Sequence, residues 1–581
     1  MCFFISKNNK GLSIQKRDID QSDLYKDYIY IHGLLIYGKQ NDLEDYMFDV
    51  YNFNEEKRNL FLQTAINSSN FNDGHNQQIP IFKNNITTYI TTSNVEIIKK
   101  YFILPDIIIV GCGTAGCCLA YSLRESNKRI VIVDPGIIYD DENVTNVHNF
   151  FTVWKDPKYT TIFGISNDLQ RTTPVSHVYN AGGCSIHNGT IAVKPTQNYL
   201  NSLGPYFSEE NINEANNDLF SEINLRSSTP SEFGTLISKT IAEVFDVINV
   251  ENYNEHNLCS SSNAQLFQTK KGKRELLTKL LPQKSNFSYL YHFHVDKIIF
   301  NDNNQAIGIS TGIRKNHIIY GSQIILCAGI ESSCILEKSG IGNKQRLQSL
   351  NIPIVKENNH VGEHVKNQLG PTMVIKTSKE LKPSDPNNLG TVTMGFLPDF
   401  YDSEEKRKYQ IFSTYHPYLD APLNKLYDFN GCFAINICDL NPVSEGSIHI
   451  TSKECYNQPK IEFNYYKNKQ DVQSGINSYK ILYEIYQELQ VNHEDYDFSC
   501  IFPPEDIFND DKDIEKYVDI GTLIEEHYTS GCRIGDVVDE KLNVIGVQNL
   551  KIADCSVLKY PSDGNTQYIA MYVGWICGKL I

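Results

Sequence analysis

No stretch of this sequence is apolar for long enough to cross a membrane. The most apolar runs are "YIYIHGLLIY" and "YFILPDIIIV", and both fall well short of the ~20 residues that a membrane helix needs. The first residues, "MCFFISKNNK", contain too short an apolar run for a signal peptide. We therefore expect a soluble, intracellular protein with no membrane partner.

Paired cysteine motifs are missing as well. The 15 cysteines are scattered and include no C-x-x-C pair, which argues against a zinc ribbon, and we predict no metal site. An odd number of cysteines at irregular spacing is not typical of a secreted disulfide framework. This usage favours a reducing compartment such as the cytoplasm.

An excess of positive charge is the third absence. The sequence has 53 Lys and Arg against 69 Asp and Glu, a net charge of −16. Because binding to phosphate backbones depends on Lys and Arg clusters, we expect no nucleic-acid partner. At 581 residues the chain is too long for one ordinary core, so we expect two or three domains.

The first clear pattern is "DIIIVGCGTAGCCLAYSLRESNKRIVIVDPG". It predicts an apolar strand (107–110), a glycine-rich turn, a helix (114–126) and a second strand (130–133), in a parallel sheet buried on both faces. Gly111, Gly113 and Gly116 form G-x-G-x-x-G, and Asp134 ends the second strand, where an acid can accept ribose hydroxyls. This arrangement indicates a dinucleotide site at the helix N-terminus but does not separate NAD from FAD.

A second glycine-rich stretch, "NAGGCSIHNG" at 180–189, has no helix or strand periodicity. Gly182 and Gly183 can bring backbone N–H groups close to a flavin or a phosphate. His187 then has four possible roles: metal ligand, catalytic base, covalent anchor or packing residue.

Two further stretches carry candidate groups. "EEHYTSGCRIG" offers His527 as a base, and "KIADCSVLKYPSDGNTQ" offers Asp554 and Asn565. A competing motif, G-x-S-x-G around Ser310, matches the hydrolase nucleophile elbow, which needs a helix after it. The residues that follow predict strand and turn instead, so we expect Ser310 to lie within a hairpin.

Taken in order, several blocks of this chain resemble the glucose–methanol–choline (GMC) oxidoreductase family. The resemblance covers about residues 104–581. The blocks are "DIIIVGCGTAGCCLAYSLRES", "AGGCSIHNG", "GKRELLTKLL", "ILCAGIESSCILEKSGIG", "NPVSEGSIHITS", "PKIEFNYY" and "HYTSGCRIG" with the C-terminal "VVDEKLNVIGVQNLKIADCSVLKYPSDGNTQ". The resemblance implies an α/β fold (α+β overall), with a Rossmann-like FAD-binding domain on a parallel sheet and a substrate domain with an antiparallel sheet and helices.

The resemblance implies FAD rather than NAD as the cofactor. Gly111, Gly113, Gly116 and Asp134 would hold its ADP part, although the family usually has Glu at the last position. Val295 would pass near the adenine. The remaining cofactor contacts would come from Gly183, Asn188, Asp554 and Gln567.

The resemblance also implies a reaction. His527 falls where the family has its catalytic histidine and Asn565 where members have a second His or an Asn, so the pair would take the proton of an alcohol while hydride passes to flavin N5. Oxygen or another electron acceptor would then reoxidise the flavin. His187 falls where choline-oxidase-like members have a histidine bonded covalently to the flavin, so it is either bonded to the ring or packed against it.

The resemblance further suggests a division of the chain. Residues 1–100 would be an N-terminal extension of unknown role, with a possible helix near 41–65. Residues 101–205, 262–348 and 520–581 would form the FAD-binding domain, and 206–261 with 349–519 the substrate domain. A homodimer is possible. The alternative function is a catalytically silent structural or assembly protein on the GMC fold, for example in a large DNA virus, where it would be associated with the virion.

Some positions depart from the family pattern. Asn367-Gln368 replace the usual Asp-His after "VGE", and Ser530-Gly531 replace the usual Gly-Thr after the histidine. Glu526 replaces an aromatic residue. We expect it to face solvent; in the alternative it faces the pocket, favours cationic or polar alcohols and raises the pKa of His527.

Overall fold

The structure of the protein is a computed structural model. It describes residues 104–170, 172–256, 259–311, 317–381, 391–400, 406–415, 417, 429–454 and 457–581. Before residue 104 it describes the backbone of three two-stranded antiparallel hairpins: Phe3–Asn8 with Gly11–Lys16, Tyr28–Ile31 with Leu34–Tyr37, and Gln78–Lys83 with Ile86–Thr91. The helix predicted near 41–65 lies outside the described residues.

A parallel sheet of five strands carries the glycine-rich unit. In spatial order its strands are Phe287–Leu290, Ile130–Val133, Ile107–Val110, Gln323–Leu326 and Leu550–Ile552. The two predicted strands have the predicted bounds, and all of their residues are buried, as a sheet covered on both faces requires. The predicted helix spans Thr114–Ser122 and packs against the C-terminal helix Thr566–Lys579.

The second large element is an eight-stranded sheet that is almost entirely antiparallel. Its strands in spatial order are Ile248–Asn249, Ser260–Asn263, Thr391–Leu397, Tyr409–Thr414, Cys432–Asp439, Leu369–Lys376 and Ser499–Phe502, with Thr522–Ile524 also paired to Leu369–Lys376. Helices Glu232–Phe245 and Lys469–Asn492 bury apolar side chains against it. The predicted α/β fold with one parallel and one antiparallel sheet is confirmed.

Smaller elements connect the two sheets. The strands are Thr161–Ser166 with Thr173–His177, Lys297–Phe300 with Ala306–Thr311 and His317–Tyr320, Glu363–Val365 with Gly446–His449 and Lys460–Glu462, Arg226–Ser227 with Gln265–Leu266, and Ile341–Gly342 with Lys356–Glu357. The other α-helices are Glu142–Thr145, Phe150–Lys155, Gln197–Ser202, Glu209–Leu219, Ser332–Lys338, Lys344–Ser349 and Asp511–Val518. Ser310 lies inside a strand of an antiparallel sheet, as predicted, so the nucleophile-elbow reading is excluded.

One of these helices, Glu209–Leu219, lies in residues 206–261, which the resemblance assigned to the substrate domain. Its buried residues are Ile212, Ala215 and Leu219, and they belong to the same core as the parallel sheet. Two of its polar residues accept hydrogen bonds from the C-terminal helix, Asn216 from Tyr572 and Asp218 from Trp575. The proposed division into domains stays a prediction, and this packing favours placing the helix with the parallel sheet.

Among the residues that the structure describes, no helix combines the length and the apolar character needed to cross a membrane.

Candidate active site

A large cavity opens at the carboxyl-terminal edge of the parallel strands and extends to the antiparallel sheet. Ligands of open α/β sheets bind at this edge. The predicted site residues that line the cavity are Gly111, Gly113, Asp134, Gly183, His187, Asn188, Val295, His527, Asp554, Asn565 and Gln567. Residues as far apart in the sequence as Gly111 and Gln567 therefore surround one space.

Gly116 is the one predicted site residue that does not line the cavity. A Cβ at Gly116 would lie 2.1 Å from the carbonyl oxygen of Gly111, so this glycine brings the helix against the turn. Gly111 has φ +99°, and a Cβ there would lie 2.4 Å from the carbonyl oxygen of Cys327. Both positions accept only glycine because backbone atoms occupy the space of a side chain.

The two glycine-rich loops touch each other. Gly183 has φ +52°, and a Cβ on it would lie 2.9 Å from Cα of Gly113. The absence of side chains on both glycines leaves a narrow, backbone-lined floor at the N-terminus of helix Thr114–Ser122, where free N–H groups favour phosphate. This contact joins the two stretches that the sequence analysis treated as separate motifs.

Two buried carboxylates, which follow strands Ile130–Val133 and Leu550–Ile552 of the parallel sheet, line the cavity near this floor. Asp134 accepts hydrogen bonds from the backbone N–H of Cys112 at 2.8 Å and of Gly136 at 3.0 Å, and burial raises its pKa to about 6. Asp554 accepts from Ser332 at 2.6 Å and from the N–H of Gly329 at 3.0 Å. Each carboxylate keeps lone pairs for hydroxyl groups of a bound ligand.

Gln567 provides a direct test of whether a cofactor fits. Its Oε1 accepts from the side-chain amide of Asn188, and Asn188 Oδ1 accepts from Arg274 at 2.8 Å. The Nε2 of Gln567 is buried and has no hydrogen-bond partner among the residues that the structure describes. A buried donor without a partner costs about 1–3 kcal/mol, so an acceptor on a ligand in this cavity would satisfy it. These residues fit a dinucleotide cofactor with a polar ring edge.

His187 is buried in the wall of the cavity, only 5% exposed. The Thr160 hydroxyl donates to the carbonyl of Val153 at 3.0 Å. It therefore accepts from Nδ1 of His187, 3.1 Å away, and this fixes the tautomer with the lone pair on Nε2. Burial and the nearby Arg274 lower the pKa of His187 to about 3, so the ring is neutral. A neutral ring with a free lone pair on Nε2 suits a covalent anchor or a packing residue.

His527 is held by the two residues that depart from the family pattern. Its backbone N–H donates to Asn367 Oδ1 at 2.7 Å, and its Nδ1 lies 2.6 Å from Gln368 Oε1. The Gln368 amide nitrogen donates to the carbonyl of Leu440 at 2.9 Å, so its oxygen accepts from His527 Nδ1–H. The lone pair of His527 therefore lies on Nε2, the nitrogen nearer to Asn565.

Asn565 faces this nitrogen. Its Nδ2 lies 3.4 Å from His527 Nε2, while its Oδ1 accepts from Gln410 Nε2 at 3.0 Å. Gln410 thus fixes the amide so that its N–H groups point to the histidine and the cavity. The pair combines one proton acceptor and one hydrogen-bond donor at the same place.

Contrary to the expectation that it faces solvent, Glu526 is directed into the cavity. It lines the cavity, accepts a hydrogen bond from the Ser176 hydroxyl and lies 3.4 Å from Nε1 of Trp154. Its φ of +57° turns the side chain away from the direction that a regular strand would give it. The expectation that Glu526 raises the pKa of His527 is wrong. Burial lowers the pKa of His527 to about 4, and Glu526 does not raise it.

Sequence reasoning missed Gln368 and Gln410 as positioning residues. For Gln368, the only signal was the departure of Asn367-Gln368 from the family pattern after "VGE". That departure did not indicate which residue Gln368 contacts. Gln410 lies in a central strand of the antiparallel sheet with no motif around it. Both act across more than 150 residues of sequence, a distance at which no local pattern indicates contact.

Comparison with known proteins identifies both halves of the described chain. Two models named GMC oxidoreductase match residues 105–369 and 442–574. Protein HOTHEAD of Arabidopsis thaliana is 24% identical, with 82% of this chain and 88% of that protein covered. Sinalpyl alcohol oxidase Nec3 of Nesocodon mauritianus is 25% identical over the same shares of the two chains. The crystal structure of pyridoxine 4-oxidase from Mesorbium loti has a TM-score of 0.72 at 17% identity and covers 82% of this chain and 98% of its own.

Proposed function

The chain belongs to the GMC oxidoreductase family, and we propose that it uses FAD to oxidise a small-molecule alcohol to an aldehyde or ketone. One observation carries the proposal. The lone pair of His527 Nε2 and the amide of Asn565 meet in the cavity, which is the donor–acceptor pair that removal of an alcohol proton requires.

FAD is the cofactor, and the cavity offers a place for each of its parts. In the proposal, Gly111, Gly113 and Asp134 hold the ADP part near Val295, while Asp554 binds the chain between phosphate and ring. Asn188 and Gln567 contact the ring edge, where Gln567 Nε2 gains the partner that it lacks within the described part of the chain. Bound FAD supplies a hydride acceptor at N5, chemistry that no side chain provides.

His527 and Asn565 act on the alcohol together. His527 Nε2 takes the hydroxyl proton as the carbinol C–H bond breaks, and Gln368 stabilises the resulting imidazolium through Nδ1–H. Asn565 Nδ2 donates to the alcohol oxygen and holds the negative charge that develops on it. Gln410 Nε2 donates a hydrogen bond to Asn565 Oδ1 and so keeps that donor in place. Gln410 has no role in the chemistry itself.

The pH profile follows from the burial of His527. Because burial lowers its pKa to about 4, the imidazole is already neutral at mildly acidic pH and able to accept a proton. We expect kcat/KM to be level on the acid side down to about pH 5, then to fall tenfold per pH unit below about pH 4. A fall of kcat/KM that begins near the ordinary histidine pKa of 6.5 would contradict a buried neutral base. Steady-state rates with a neutral alcohol, on protein shown to stay folded, measure it.

Glu526 sets the substrate class in this proposal. A carboxylate that lines the cavity next to Ser176 and Trp154 favours alcohols with a cationic or hydrogen-bond-donating group. Hydrogen bonds to charged groups contribute about 1.5–3 kcal/mol, so Glu526→Gln should raise KM for a cationic alcohol by about tenfold or more. The KM of a matched neutral aryl alcohol should change little. An equal change for both alcohols would contradict this role.

We further propose that His187 is bonded covalently to FAD. Thr160 fixes the ring with a free lone pair on Nε2, the nitrogen that would form the bond, and His187 lines the cavity. Acid precipitation should leave a yellow pellet with the wild-type protein and a yellow supernatant with His187→Ala. A white wild-type pellet under a yellow supernatant would mean that His187 only packs against the ring.

Steady-state assays test the function itself. Purified protein with a panel of alcohols should form aldehyde or ketone in step with reduction of an acceptor, and parallel assays with oxygen and with a dye identify which acceptor serves. The competing proposal, a silent assembly protein on the same fold, predicts no product with any alcohol. Gln567 Nε2 and the His527–Asn565 pair favour the enzyme, since a silent protein gains nothing from an unpaired buried donor.

A further inference from the structure

We propose a second, metal-binding site on this protein, formed by His360, His364 and Asp536 and suited to Zn²⁺. None of these residues lines the active-site cavity. His360 lies in the turn before strand Glu363–Val365, and His364 lies within that strand. Asp536 lies in the loop that follows the segment with His527. No sequence motif indicates this site, because its third ligand comes from a distant part of the chain.

The three ligand atoms have the spacing of a metal centre. His360 Nδ1 lies 3.1 Å from His364 Nε2, and a carboxylate oxygen of Asp536 completes a group in which all atoms lie within 4.8 Å of one another. Zn²⁺ binds imidazole nitrogen at about 2.0–2.1 Å in tetrahedral geometry, which places neighbouring ligand atoms about 3.4 Å apart. Small side-chain movements therefore suffice to enclose the ion.

Glu445 prepares His364 as a ligand. Its Oε2 lies 2.5 Å from His364 Nδ1. Since a carboxylate only accepts, Nδ1 carries a proton, and Nε2, which faces His360, is the nitrogen placed to bind a metal. A carboxylate behind a histidine is the arrangement that orients metal-ligating histidines and makes them more basic.

The backbone holds the ligands in place before any ion binds. The side chain of Asn358 accepts from the N–H of His360 at 2.9 Å and donates to the carbonyl of Asp536 at 2.9 Å, so it joins the two loops. His364 has φ +62° and sits where the pairing with strand Gly446–His449 shifts register. Such an irregularity redirects a side chain out of the strand.

Arg533 connects the ligand shell. It donates to Glu445 Oε1 at 3.2 Å and to one oxygen of Asp536, Oδ2, at 2.8 Å, which leaves the other Asp536 oxygen for the metal. A simple hydrogen bond between the two histidines would explain their 3.1 Å contact. It would not explain why Glu445 lies behind the His364 ring and Asp536 lies beside both rings. Two nitrogens and one oxygen, with an exposed side at His360 for water, suit Zn²⁺ rather than Ca²⁺ or Mg²⁺.

Binding of Zn²⁺ to the holoenzyme tests the proposal. Protein treated with a chelator and dialysed should bind one equivalent of Zn²⁺ in calorimetry. His364→Ala should weaken this binding at least tenfold, as should His360→Ala, whose exposed position makes loss of folding no concern. Glu445→Gln should weaken it about 10–100-fold, the usual effect of losing such a partner. The control is His256→Ala, an exposed histidine elsewhere on the surface.

Cobalt provides an independent readout. Co²⁺ added in place of Zn²⁺ should give visible bands of four-coordinate nitrogen and oxygen ligation, which His364→Ala abolishes and His256→Ala preserves. Flavin content and circular dichroism establish that each variant is folded. Absence of stoichiometric Zn²⁺ binding, or equal affinity in the wild type and His360→Ala, would overturn the proposal.

Discussion

His527→Ala should lower kcat by about 10²–10⁴-fold, the usual contribution of a positioned general base, while the purified protein stays yellow. The imidazole is the one cavity group whose tautomer, fixed by Gln368, leaves a lone pair beside the donor Asn565. Its removal would leave the alcohol proton without an acceptor, whereas the glycine floor and Gln567, which we propose bind FAD, are unchanged. Steady-state kcat together with the flavin-to-protein ratio separates the two effects.

Two companion variants sharpen this result. Gln368→Ala keeps the imidazole but removes the acceptor on Nδ1, so its kcat should fall between those of the wild type and His527→Ala. His256→Ala removes an exposed histidine outside the cavity and should leave kcat unchanged. A His527→Ala protein with more than a tenth of wild-type kcat and full flavin would assign the base to another group.

Gly183→Ala should yield protein with little or no bound FAD. A methyl group at this position meets Cα of Gly113 at 2.9 Å, and the residue sits at φ +52°. Either the two glycine-rich loops separate or the backbone changes conformation, and both remove the floor on which the dinucleotide would lie. We expect at least a tenfold loss of FAD affinity, which corresponds to about 1.4 kcal/mol. Visible absorbance and reconstitution with FAD measure it.

Gly535→Ala is the matched control for this variant. Gly535 also has a positive φ, +97°, but a Cβ there would have no atom within 4 Å. The control therefore introduces the conformational strain of a left-handed residue without closing a contact. Equal loss of flavin in the two variants would mean that strain, and not the contact between loops, determines cofactor binding.

The parallel unit was readable from sequence because its signals are local and strong. Strands Ile107–Val110 and Ile130–Val133 are continuous apolar runs, and the glycines between them sit at fixed spacing. Helix Glu209–Leu219 has a weaker sequence signal, because only three of its residues are apolar and buried. Its start is nonetheless signalled by Ser208, whose hydroxyl caps the helix, followed by two glutamates in the first turn.

The cavity residues were predicted from motifs, but their orientations were not. No pattern indicates that Gln368 fixes the tautomer of His527, since the two meet only through the pairing of strands Leu369–Lys376 and Thr522–Ile524, and they are 159 positions apart in the sequence. Glu526 was expected to face solvent because a charged residue usually does, whereas the positive φ at that residue directs it inward. Directions of this kind depend on tertiary contacts.

Anaerobic mixing of purified protein with alcohols tests the central claim most directly. Oxidation of the alcohol at this site predicts that the visible flavin band bleaches, that one aldehyde or ketone forms per flavin, and that His527→Ala slows the bleaching at least a hundredfold. Colourless protein that cannot be reconstituted with FAD, or a flavin band that no alcohol bleaches, would contradict it.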